Sequence, residues 1–343
     1  MVDRPNKPTA LATTPGLPPQ AQVTTSDDNS RVDAVLPTGE SISVLLYGAT
    51  VLSWKDAAGS DRLWLSEAAA LDGSKPVRGG IPLVFPVFGQ APDHEATKNL
   101  PQHGFARSSR WEFLGKSSEE SGTNYSVKLD FGLSSSSLDE KTKAAWGYSF
   151  GAIYSVTLDR DALSTSLVIT NEDDKPFELQ VLLHTYLRVP DVTAVRLSSL
   201  DGASYLDKTE SLATKTQSGD LALTGETDRI YTPLGGPKVP VVVSDSASGR
   251  KLYSLTRDNL DDVVVWNPWE AKAKSMPDFS PDDGWRNMVC VEAGAVKGWQ
   301  KLEAGDAFEV AQVIAVGDLW RLQAGLLTIY TTWYLRYTML SLE

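Results

Sequence analysis

Residues 177–190, FELQVLLHTYLRVP, alternate in a way that selects a β-strand and gives it two unlike faces. Successive side chains of a strand point to opposite sides. Phe177, Leu179, Val181, Leu183, Leu187 and Val189 fall on one side, with Thr185 the only polar member. Glu178, Gln180, Leu182, His184, Tyr186 and Arg188 fall on the other. The first face suits a core. The second is too polar for a core and too rich in titratable groups for an ordinary solvent face, and His184 lies at its centre.

The same period of two runs through the segments on either side. RVDAVLP and SISVLLYGATVLSWKD, joined by a Thr-Gly turn, read as a hairpin with a bend or bulge at Gly48. WLSEAAALDGSKPVRGG reads as a short helical turn and a loop. IPLVFPVFGQ is apolar but carries Pro82 and Pro86, so it is an extended buried segment or an edge strand. NYSVKLDFGLS is a strand, and the segment 146–173 is a long hairpin turning at Asp159–Asp161 with Leu163, Thr165, Leu167 and Ile169 on one face. After Pro190 come AVRLSSL, ASYLDK, DRIYTPL, VPVVVSD, KLYSLTR, DDVVVWNPW, NMVCVEAGAV and FEVAQVIAV, short strands separated by Gly, Asp, Asn and Pro. Many short strands with little helix predict an all-β sandwich or barrel.

Composition narrows the function. The chain has 343 residues, 41% of them hydrophobic, enough for a sizeable core. Its 32 basic against 44 acidic residues give a net charge of −12, which argues against nucleic acid as a partner but not against a small anion bound by local arginines. A single cysteine, Cys290, rules out a disulfide framework within the chain and fits a cytoplasmic setting. The expected organisation is a disordered lead-in over 1–29, rich in Pro, Thr and Ala and lacking a signal peptide, one domain over 30–316, and an apolar extension of unknown role over 317–343. The uncharged run of that extension, Leu322 to Leu335, is shorter than the roughly 20 residues a membrane span needs, so no membrane partner is expected.

No HExxH, CxxC, nucleotide-phosphate loop or GxSxG elbow occurs, so a structural zinc site, a nucleotide and the usual serine-hydrolase chemistry are not indicated. What remains is a scatter of polar residues inside apolar runs. His184 lies in VLLHTYL, and Glu292 lies in MVCVEAGAV on the face of Met288 and Cys290. A carboxylate in such company pairs with a cation or has a raised pKa. Each has a plain alternative: His184 as a hydrogen-bonded core residue, Glu292 as the partner of Arg78 or Arg286, Gly79–Gly80 as a simple turn, Trp266 and Trp269 as core.

Six blocks carry a family resemblance: RGGIPLVFPVFG at 78–89, LPQHGFAR at 100–107, LLHTYLRV at 182–189, ETDRIY at 226–231, VVVWNPW at 263–269 and MVCVEAGAV at 288–296. In these, and in their order, the chain resembles the hexose-6-phosphate mutarotases, or glucose-6-phosphate 1-epimerases, of the aldose 1-epimerase superfamily. The resemblance covers roughly 30–316. It implies a large antiparallel β-supersandwich of the galactose-mutarotase type and interconversion of the α and β anomers of a hexose 6-phosphate. It makes Glu292 the base and His184 the acid of a ring-opening reaction; His184 must then start protonated, which an acidic neighbourhood such as Glu178 would favour. Arg78, Gln102, Arg107 and Asp228 match substrate-binding positions, Asp228 accepting sugar hydroxyls or holding an arginine; His103 is a second sugar contact, and Trp266 and Asn267 line the pocket. No metal or organic cofactor is implied, and a monomer is expected. Two other readings stand beside this one: a mutarotase of free aldoses, which would need no phosphate clamp, and a non-catalytic sugar-phosphate sensor on the same fold.

Overall fold

The computed structural model describes residues 20–121 and 124–317. The expectations for residues 1–19 and for the extension beyond Gly317 lie outside the described residues. Among the described residues the chain forms three antiparallel sheets of four, eight and nine strands, and no helix is long and apolar enough to cross a membrane.

The four-stranded sheet runs Gln22–Thr25, Arg31–Val35, Ser41–Leu45 and Thr50–Lys55 in order. The expected hairpin is its centre. Its first strand lies inside the expected lead-in: Gln22 to Thr25 pair with Val35 to Val32, so the ordered chain starts ahead of Ser30. The polar run TTSDD hides this strand, which is held by its ladder rather than by a buried face.

The nine-stranded sheet is built from long hairpins. Phe150–Asp159 and Ala162–Asn171 pair along their whole length, and Ala307–Val316 pairs with the second of them. Leu163, Thr165, Leu167 and Ile169 are all buried on one face. That face meets the eight-stranded sheet: Gln312 of the first sheet donates to the Thr185 hydroxyl of the second at 3.1 Å. Around this junction Leu179, Val181, Leu183, Val289, Val291, Val310 and Ile314 form one continuous core. At its end Trp146 meets Phe85, Phe105, Phe150 and Phe177 within 5.1–5.5 Å, mostly edge to face, an arrangement favoured by the ring quadrupoles.

The eight-stranded sheet carries the polar face. In spatial order it contains Ala213–Thr216, Ser204–Asp207, Thr227–Thr232, Asp262–Asn267, Met288–Leu302, Phe177–Leu183 and Leu83–Val84. Leu83–Val84 is both buried and an edge strand, as the prolines around it require. Val289, Val291 and Ala293 join the core, and alternation puts Glu292 on the opposite face of the strand from them, with Val264 and Trp266 of the neighbouring strand in register with Glu292 and Cys290. Val84, Leu182, Ile230, Val264 and Val296 make a second, smaller apolar cluster.

Two short helices, Glu140–Ala145 and Trp269–Ser275, were not expected. Conversely, the expected helical turn near Ser66 is an irregular loop tied back by a bridge between Leu65 and Gly79.

Candidate active site

The stretch 177–190 is not one strand but two. Phe177–Leu183 and Tyr186–Arg188 both pair with Met288–Leu302. Between them Thr185 N donates to the Leu183 carbonyl at 2.9 Å, and His184 N donates to the Pro82 carbonyl at 3.0 Å. This kink lifts His184 out of the ladder and places its ring against Glu292.

His184 Nδ1 and Glu292 Oε1 are 3.2 Å apart, with the side chains 12% and 1% exposed. The approach is too oblique for a hydrogen bond: Nδ1 and both Glu292 oxygens have no hydrogen-bond partner among the described residues. Burial, and then the charge of Asp228, push the Glu292 carboxyl well above the usual carboxylate range. Burial, and then His103, Arg107, Arg78 and Lys208, push His184 well below the usual imidazole range. Burial thus shifts both members toward their neutral forms.

This differs from the expectation for Glu178. Its carboxylate accepts from His94 Nε2 at 2.9 Å, and His94 stacks on Trp299 with ring centroids 3.5 Å apart. Six residues of strand, about 20 Å, separate Glu178 from His184. The cations around His184 act in the opposite sense to the expected acidic neighbour.

Glu292 pairs with neither Arg78 nor Arg286. Arg78 Nε and Nη2 both meet Asp278 Oδ2, at 3.1 and 3.0 Å, and Nη1 donates to Tyr186 Oη at 3.2 Å. Gly79–Gly80 is a tight approach rather than a simple turn. Gly80 has φ +66°, and a Cβ there would meet the Val51 carbonyl oxygen at 2.1 Å. Gly80→Ala is expected to lower stability by about 2–3 kcal/mol and to weaken the site by displacing Arg78. Thermal unfolding checks this, and an unchanged midpoint would contradict it.

Arg107 sits in the turn Ala106–Ser108 and has a different environment. Its Nη2 donates to the Gln102 carbonyl at 2.8 Å, but its buried Nε has no partner and no carboxylate pairs with it among the described residues. Burial lowers its pKa to about 10. His103 lies in the same block with φ +68°. Its Nδ1 accepts from Gly89 N at 3.1 Å, which puts the proton of the neutral ring on Nε2. Burial and then Arg107 hold its pKa near about 3, so the ring is a neutral donor, edge-on to His184 at 6.0 Å. Gln102 is exposed, with Nε2 3.4 Å from His103 Nε2.

Asp228 holds a lysine, not an arginine: Lys208 Nζ is 3.0 Å from its Oδ2. Lys208 also lies over the Phe88 ring at 5.0 Å. Trp266 presents its edge to His184 and Tyr186 at 6.1 and 5.9 Å. Asn267 is buried and structural, donating to the Trp285 and Met288 carbonyls. The structure thus brings His184, Glu292, His103, Arg78 and Arg107 into one electrostatic neighbourhood, with Asp228 and Lys208 beside it. Lys208, Tyr186 and Asp278 were given no role from sequence. Lys208 sits in an ordinary turn, and Asp278 lies 200 residues from the arginine it holds.

His184, Cys290 and Glu292 place ligand atoms within 4.8 Å of one another, a donor set that zinc accepts. Arg107, Arg78 and Lys208 act electrostatically on the same group of residues, and their charges oppose a divalent cation. The arrangement suits proton transfer within an anion-attracting pocket: two groups of shifted pKa side by side and a half-buried guanidinium without a carboxylate.

The pKa directions also make a stability prediction. Glu292 binds its proton more tightly in the fold than in the unfolded chain. The penalty is absent below the ordinary carboxylate range and grows as pH rises toward the raised folded value. Glu292→Gln removes it. The variant is expected to unfold at a higher temperature than the parent, with a gap that widens from about pH 5 to about pH 8; a lower midpoint throughout would contradict the assigned environment.

The sequence profile described as aldose 1-epimerase matches residues 35–315. A protein of Cenchrus ciliaris provisionally named glucose-6-phosphate 1-epimerase is 34% identical over 267 residues, 77% of each chain. A protein of Escherichia coli (strain K12) with the same provisional name is 34% identical over 275 residues, 80% of this chain and 86% of that one. The crystal structure of a provisionally assigned mutarotase from Salmonella typhimurium superimposes with a TM-score of 0.73 and 28% identity, covering 88% of this chain and 95% of the other.

Proposed function

The chain belongs to the aldose 1-epimerase family, and from that premise we propose that it interconverts the α and β anomers of hexose 6-phosphates, glucose 6-phosphate first among them. The observation that carries the choice of a phosphate ester is Arg107, a half-buried guanidinium with no carboxylate partner among the described residues, beside the His184–Glu292 pair. A buried cation without a counter-ion is costly unless an anion completes it. The forked donors of arginine match a phosphate dianion.

The reaction follows from the proton inventory. In the productive state His184 is protonated and Glu292 is a carboxylate. Glu292 takes the proton of the C1 hydroxyl, His184 gives its proton to the ring oxygen, and the C1–O5 bond breaks to leave an aldehyde. Rotation about C1–C2 turns the carbonyl, and closure on its other face returns both protons. The raised pKa makes Glu292 a stronger base than an exposed carboxylate, and the lowered pKa makes imidazolium a stronger acid. The cations that depress His184 are those that would meet the phosphate. A bound dianion offsets them and so favours the protonated imidazole. His103 Nε2–H and Gln102 contact the sugar, and Asp228, held by Lys208, accepts its hydroxyls. The enzyme acts as a monomer in the cytoplasm, without a metal or organic cofactor.

Running the reaction in heavy water tests the chemistry. The anomers are expected to interconvert with no deuterium entering at C1 or C2, as read by proton NMR. Deuterium at C2 would mean that the same pair forms an enediol, and the ring-opening assignment would fall.

A further inference from the structure

We propose that Tyr186 is a positioning residue that ties the phosphate-binding Arg78 to the acid–base His184; the inference rests on the phosphate-ester reading above. The Tyr186 ring is 1% exposed and lies parallel to the His184 ring, with centroids 4.7 Å apart and an interplanar angle of 10°. Its hydroxyl accepts from Arg78 Nη1 at 3.2 Å.

These contacts belong to a closed circuit. Tyr186 stacks on Trp64 at 6.0 Å, and Trp64 stacks on Phe279 at 4.6 Å. Phe279 is the chain neighbour of Asp278, whose Oδ2 holds Arg78 through both Nε and Nη2. The backbone closes the same loop: Trp64 N donates to the Tyr186 carbonyl at 3.0 Å, Gly80 N to the Trp64 carbonyl at 2.8 Å, and Tyr186 N to the Gly80 carbonyl at 3.0 Å. Arg78 is therefore aimed by a carboxylate and a phenol at once. The phenol is fixed by the ring column that also supports the imidazole. A phosphate held by Arg78 is registered against His184 through one rigid aromatic side chain, which sets the distance between the 6-phosphate and the ring oxygen. This is the sub-ångström positioning that proton transfer in a bound substrate needs.

The two ends of Tyr186 predict separable effects. Tyr186→Phe keeps the ring against His184 and removes the hydroxyl from Arg78. It is expected to raise KM for glucose 6-phosphate by about tenfold, to leave kcat within about twofold, and to cost the phosphate ester more than free glucose. Tyr186→Leu removes the ring as well and is expected to cut kcat by a further factor of about ten. Asp278→Asn should reproduce the KM effect of the Phe variant without touching Tyr186. Thermal unfolding of each variant accompanies the kinetics. The proposal is overturned if the parent enzyme favours the phosphate ester and Tyr186→Phe leaves its KM unchanged. It is equally overturned if the Phe variant loses activity on both sugars alike, in step with a lowered unfolding midpoint, as a purely structural tyrosine would. A parent that shows no preference for the ester would instead remove the reading on which the proposal stands.

Discussion

Glu292→Gln is expected to slow the mutarotation of glucose 6-phosphate by about a thousandfold, with KM little changed. The carboxylate is 1% exposed, 3.2 Å from His184 Nδ1, and no hydrogen bond from the described residues ties up either oxygen. Glutamine fills the same space and cannot take a proton. His184→Ala should cost a comparable factor, and the double variant little more than either alone, because the two groups transfer protons in one step and fail as a unit. Since the fold gains from loss of the buried carboxyl, the inactive Gln variant should be the more thermostable protein. That combination separates a catalytic role from a structural one. Exchange between the anomeric proton signals at equilibrium measures the rate; a Gln variant retaining more than about a tenth of the parental rate would remove Glu292 from the chemistry.

Arg107→Gln should lower kcat/KM for glucose 6-phosphate by about a hundredfold and leave acceleration of free glucose near the parental level. Arg78 and Arg107 differ in how much charge they have to offer. The Arg78 guanidinium is already met by Asp278 and Tyr186. Arg107 has only the Gln102 carbonyl, so its charge is the larger share of the attraction to a dianion. Arg107→Lys keeps the charge but loses the fork and should fall between the two, about tenfold below the parent. Because Arg107 pairs with no carboxylate among the described residues, its removal should not destabilise the fold. Equal losses on phosphorylated and free glucose would show that Arg107 supports the site rather than binding phosphate.

Much of this was legible in the sequence because polar residues inside apolar alternation are expensive and therefore informative. His184 and Glu292 stood out in that way, and the two-residue period placed Glu292 on the face of Met288 and Cys290, opposite Val289 and Val291, in register with Val264 of Asp262–Asn267. The hairpins of the nine-stranded sheet were equally readable, since each strand buries one face. Alternation says nothing, however, about where along a face two residues meet. Glu178 and His184 share a face on paper, yet the strand keeps them apart and the break at His184–Thr185 turns the ring toward another strand. The contacts that aim the cations were also hidden. Lys208, in the turn after Ser204–Asp207, meets Asp228 of the neighbouring strand, and Arg78 meets Asp278 from a loop 200 residues away. Neither pairing leaves a local pattern. The strand Gln22–Thr25 escaped because it is held by its ladder and buries little.

The most direct measurement is polarimetry of freshly dissolved α-glucose 6-phosphate with purified protein, against α-glucose under the same conditions. The phosphate ester is expected to relax to its anomeric equilibrium at a rate proportional to protein concentration, with a larger acceleration than for the free sugar. Relaxation of the ester at the buffer rate, or acceleration confined to free glucose, would contradict the account.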